Sequence, residues 1–116
     1  MRHIRSIALA TALAASPLAH AQTMGFVNGG TVTGVDVRVN GYFLVTLSSP
    51  MASQPACATN HVRVTGDATT PGGKALLSAA MLALSAHTTM ALVQGTGTCD
   101  QYSGYEALLI LSQGTE

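Results

Sequence analysis

The sequence predicts a mainly β fold with one helix, an α+β domain built as a small five-stranded barrel in the order β-β-β-α-β-β. Three observations carry this expectation. Val35, Val37 and Val39 alternate with Asp36 and Arg38 and lead into Asn40-Gly41, a strand followed by a hairpin turn. One helical stretch opens at Thr70-Pro71 and runs through leucines and alanines. Two apolar segments then flank the stretch GTGTCDQYSG, as a last pair of strands would.

Taken in order, the first strand carries a phase slip at Gly34, because Val32 is out of step with Val35, Val37 and Val39. A glycine at such a slip predicts a bulge or sharp bend, which suits a strand serving both sides of a small barrel. Asn40-Gly41 predicts a two-residue turn with positive φ at both positions. The return strand spans Tyr42 to Ser48, with Phe43, Val45 and Leu47 on one face. Pro50, Pro55 and small residues make the next segment a loop, and HVRVT is a short third strand with Val62 and Val64 inward.

The helix is expected from about Pro71 to Ala86. Thr70 is the N-cap, and Pro71 stands at the first helical position, where its missing N–H costs nothing. No glycine follows, so His87 is expected to take the left-handed cap. TTMALVQ is the fourth strand, and YEALLILSQ the fifth, whose central apolar run predicts burial on both faces. Five strands with a helix between the third and fourth is the order of an OB-like barrel. The alternative is another small α+β sheet packed on one helix.

The first residues are expected to direct the chain out of the cytoplasm. Arg2 and Arg5 precede the apolar run Ile7 to Ala15, and Ala19-His20-Ala21 forms an A-x-A cleavage site. Residues 1–21 therefore read as a signal peptide, and 22–116 as a single OB-like domain, secreted or periplasmic. The apolar run is too short to span a bilayer. In that setting Cys57 and Cys99, the only cysteines, are expected to form a disulfide. Closing that loop constrains the unfolded chain by about 4 kcal/mol in the entropy account.

Charge and motif exclude several functions. Beyond the leader, Arg38, Arg63 and Lys74 stand against Asp36, Asp67, Asp100, Glu106 and Glu116. Without a basic patch, nucleic acid is not an expected partner. The scattered acids make no hard-cation site, and Met24, Met51, Met81 and Met90 are too dispersed for copper. His61 and His87 are not at metal-ligand spacing with the cysteines. Gly95 and Gly97 form G-x-G, but Asp100 stands at the third glycine position and the segment leads to a strand, so the dinucleotide fingerprint fails. PGGKA fails as a phosphate loop, because Ala75 follows Lys74. No cofactor, metal or catalytic set is expected.

Two features remain. Asp100, Gln101, Tyr102, Ser103 and Tyr105 put aromatic rings beside carboxylate, amide and hydroxyl groups, a combination suited to sugars. The competing reading is a solvated loop with locally packed tyrosines. The helix is too apolar for a small monomer. Lys74, Ser78 and Ser85 form a narrow polar stripe, with Met81 and Leu82 on either side. That surface, Lys74, Ser78, Met81, Leu82 and Ser85, is expected to self-associate; the alternative is a helix sunk deeply in its own domain.

Over residues 72–112, the G-K-A-x-L opening, the Leu/Ala helix, the segment GTGTC and the Glu-led last strand resemble a group of small secreted bacterial proteins without assigned function. More distantly, the helix–strand arrangement resembles the B subunits of A–B pentameric toxins. That resemblance implies an OB-fold, a homo-oligomer in the form of a ring pentamer with its helix lining the pore, and binding of cell-surface glycans. It transfers no glycan-contacting residue. His87 stands where the secreted group leads one to look for a glycine, and the Cys99-to-Glu106 segment lacks a tryptophan. Together these features predict a secreted, non-enzymatic, self-associating binding module that takes glycans. The alternatives are an accessory envelope protein without a small ligand and a small exported enzyme or enzyme inhibitor.

Overall fold

The computed structural model describes residues 23–114. The leader and its cleavage site lie outside the described residues. The chain is mainly β with one helix. Its elements are β1 (Phe26–Val27), β2 (Val32–Val37), β3 (Tyr42–Leu47), β4 (Arg63–Asp67), α1 (Pro71–Ala86), β5 (Met90–Gly95) and β6 (Glu106–Gln113). The strands lie in the order β1-β5-β6-β4-β3-β2. Neighbours are antiparallel except β4 and β6, which run parallel through Val64↔Glu106 and Thr65↔Ala107.

The element order is thus β-β-β-β-α-β-β, one short strand more than the sequence predicts. The difference lies at Gly29-Gly30, where φ is 82° and 75°. Up to that point the backbone bonds to β5: Gly29 N–H donates to Met90 O at 2.9 Å, and Met90 N–H to Gly30 O at 2.8 Å. From Thr31 on it bonds to the other side, with Ser48 N–H donating to Thr31 O at 2.9 Å. One bent segment therefore serves both ends of the strand order and gives the sheet its barrel-like closure. The irregularity expected at Gly34 is also present, as a register shift between Val32 and Gly34.

The hairpin at Asn40-Gly41 forms with a different turn. Only Gly41 has positive φ, at 90°. Gly41 N–H donates to Arg38 O at 3.0 Å and Arg38 N–H to Tyr42 O at 2.8 Å, so Val39, Asn40 and Gly41 form a three-residue loop. In this form one positive-φ residue after the turn suffices. Asn40 Oδ1 accepts from Tyr42 N–H at 3.1 Å instead of Asn40 adopting the left-handed region. Val39 sits fully exposed on the loop, although the sequence places it in the strand with Val35 and Val37, because β2 ends at Val37.

The helix follows the sequence closely. Thr70 Oγ1 accepts from Gly73 N–H at 2.9 Å, Pro71 opens the helix, and His87 caps it with φ 52°. Ala80 and Ala83 are fully buried, and Leu76, Leu77 and Leu84 pack partly buried against the core cluster, which includes Phe43, Val45, Val64, Val93 and Leu108. Small residues at the deepest points let the helix axis come close to the sheet, and α1 covers β2, β4 and β6.

β6 departs from the expected two-faced burial. Glu106, Ala107 and Leu108 are buried, but Leu109 and Ile110 are exposed. Beyond Ala107 its ladder partner is β5 alone, because β4 pairs only with its first two residues. No helix among the described residues is long and apolar enough to cross a membrane.

Candidate functional site

Cys57 and Cys99 form the expected disulfide, with their Cα atoms 6.1 Å apart. It joins the loop after β3 to the loop before β6. Backbone bonds extend the junction: Gly104 O accepts from Thr59 N–H at 2.9 Å and Asn60 N–H at 3.0 Å. Asn60 Oδ1 in turn accepts from Val62 N–H at 3.0 Å and Arg63 N–H at 2.9 Å, leading that loop into β4. A tight turn closes from Tyr102 to Tyr105, with Tyr105 N–H donating to Tyr102 O at 3.2 Å and Gly104 at φ 90°. The segment from Asp100 to Tyr105 is therefore held at both ends.

The predicted site residues do not all face one way. Tyr102 stands edge-on to Tyr42, ring centroids 5.4 Å apart and planes at 78°. Its hydroxyl donates to Asn40 Oδ1 at 3.4 Å. Asp100 is exposed, with Oδ1 accepting from Thr98 Oγ1 at 3.3 Å, and Ser103 is exposed. Tyr105 is half-buried and meets Tyr102 through the turn. Gln101 instead lines a groove of about 580 Å³ between α1, the end of β4 and β6. Leu76, Ala79, Leu108 and Leu109 supply apolar walls there, and Asp67 and Thr70 stand with Gln101 as polar groups. Gln101 Oε1 is buried without a hydrogen-bond partner.

Sequence reasoning missed two members of this surface. Asn40 and Tyr42 belong to the β2–β3 hairpin, and their roles there, turn former and strand residue, hid their second use beneath Tyr102. It also missed the site's support, Glu106. This carboxylate is fully buried. Its Oε2 accepts from Gly25 N–H and from Gly97 N–H, each at 2.9 Å. Its backbone oxygen accepts from Thr65 Oγ1 at 3.5 Å. A Cβ at Gly25 or Gly95 would run into the carboxylate, so glycine is required at both places. A lone acid opening an apolar strand was the available signal, since buried acids need built surroundings.

On α1, Lys74, Ser78, Met81, Leu82 and Ser85 are all exposed. Met81 and Leu82 keep 50% and 58% of their surface open, so the helix is not sunk in its own domain. His61 Nδ1 lies 2.7 Å from Gln54 Oε1, and His87 is the helix cap. Among the described residues no group of three His, Cys, Asp or Glu side chains is placed to hold a metal ion. No protein-family model, curated protein or solved structure matches the chain.

Proposed function

We propose that this chain is a secreted or periplasmic, non-enzymatic binding module on an OB-like barrel, which self-associates through the outer face of α1 and recognises a sugar through the loop from Asp100 to Tyr105. The observation that carries the reading is the seating of Tyr102 on Tyr42 and Asn40, beside the groove that Gln101 lines. A fixed aromatic ring offers a platform for the apolar face of a pyranose. The exposed groups of Asp100 and Ser103 pair with hydroxyls, while Gln101 lines the adjoining groove. The groove volume lies in the range of small-molecule sites. Disulfide and backbone anchoring fix the loop in advance, which lowers the ordering cost of binding.

Self-association is supported by the exposed Met81 and Leu82 flanking the polar stripe. Each is already about half buried, so covering the rest stabilises an assembly by roughly 0.8–1.7 kcal/mol, about half the figure for full burial. A five-membered ring rests on the toxin resemblance alone. Light scattering behind size exclusion, followed by a glycan array, tests both parts. A concentration-independent oligomer that captures a restricted set of glycans is expected. A monomer contradicts the helix reading, and an oligomer that binds no glycan contradicts the sugar reading.

A further inference from the structure

We propose that Glu106 couples the N-terminal strap, Gly25 to Gly30, to the loop from Gly97 to Tyr105, so that the two segments order and loosen together. The consequence for ligand binding rests on the sugar-loop reading above; the coupling itself is measurable without a ligand.

The two segments share a single acceptor atom. Glu106 Oε2 takes the N–H of Gly25 on the strap and the N–H of Gly97 at the start of the loop, each at 2.9 Å. Oε1 has no hydrogen-bond partner to compensate if either amide leaves. A fully buried carboxylate that loses one of two donors is left under-bonded in a medium of low polarity, so departure of one segment weakens the hold on the other. The carboxylate has little freedom to turn away, because the glycine backbones at 25 and 95 press close against it.

Both segments are extended beyond that atom. On the strap, Gly25 O accepts from Gly95 N–H at 2.8 Å, and Phe26 exchanges bonds with Ala52 at 3.0 and 2.8 Å. On the loop, Thr98 O accepts from Ala107 N–H at 2.9 Å, and Cys99 follows with its disulfide. Glu106 directly follows Tyr105 in the chain, so it acts as a positioning residue for the loop that carries Tyr102.

Native-state hydrogen exchange on the mature chain tests this, with the α1 amides as internal reference. Gly25→Ala wedges a methyl group against the carboxylate. The expected result is exchange about tenfold faster at Gly97 and through the loop to Tyr105, with α1 unchanged, the size of one lost hydrogen bond. A second variant beginning at Phe26 removes the Gly25 donor, together with the Gly25 oxygen that accepts from Gly95 N–H, without adding volume, and should accelerate Gly97 in the same way. Glu106→Gln keeps an oxygen that can accept both amides, and should hold both segments near wild-type exchange. Acceleration confined to the strap, with Gly97 at its wild-type rate, overturns the coupling. So does a uniform rise that includes α1, which reports global destabilisation. A chain that binds no sugar yet shows linked exchange refutes the sugar reading and leaves the coupling intact.

Discussion

Tyr102 meets Tyr42 edge-on, at 5.4 Å between ring centroids, and places its hydroxyl on Asn40 of the same hairpin. A loop near the C-terminus and a turn near the N-terminus thereby form one surface. Tyr102→Phe removes the hydroxyl and keeps the ring pair. It should cost no more than about 1 kcal/mol of stability, because the bond is long and exposed. Chemical denaturation of the two proteins checks this; a loss well above that size would assign the hydroxyl a larger structural part than its geometry supports.

The disulfide anchors the same loop. Replacing Cys57 and Cys99 with serine should lower stability by up to about 4 kcal/mol, the chain-entropy figure for a loop of this length. Ligand affinity should fall with it, because the loop would then be ordered at the moment of binding. Melting curves and titrations with and without verified reduction read both effects, and unchanged values in both would remove the anchoring role.

Glu106→Ala should be among the most damaging single changes. It strands the N–H groups of Gly25 and Gly97 and empties a close-packed site. Each unpaired buried donor costs about 1–3 kcal/mol, and the cavity adds to that. Glu106→Gln should retain much of the stability. Equal losses in the two variants, measured by denaturation, would contradict the hydrogen-bonding account.

Most of the scaffold is legible in the sequence because local chemistry determines it. Thr70, Pro71 and His87 act within one turn of the helix ends, and the Cys57–Cys99 bond is expected once a chain with only two cysteines is read as exported. What escapes is decided by distant partners. Gly29-Gly30 reads as an ordinary glycine pair until β5 and β3 draw the backbone to opposite sides. β6 reads as buried on both faces, yet its exposure depends on where β4 stops pairing with it. In the site, Asp100 to Tyr105 are recognisable by composition, whereas Asn40 and Tyr42 become partners only once the hairpin folds beneath Tyr102.

The outer helix face should govern assembly and not folding. Met81→Lys with Leu82→Lys places charge at two exposed positions. The variant should be a folded monomer, with a circular dichroism spectrum like that of the parent. Light scattering decides the point: the parent's oligomer persisting in the double variant would move the interface away from α1.

Titration of glycans identified on an array against the wild-type chain and Tyr102→Ala tests whether Tyr102 is a sugar platform. The wild type should bind, and the variant should remain folded but lose affinity at least about tenfold, the weight of one aromatic platform in a ligand site. Equal binding by the two proteins would contradict the assignment of Tyr102 as that platform, and no binding by a folded wild-type oligomer would contradict the sugar reading itself.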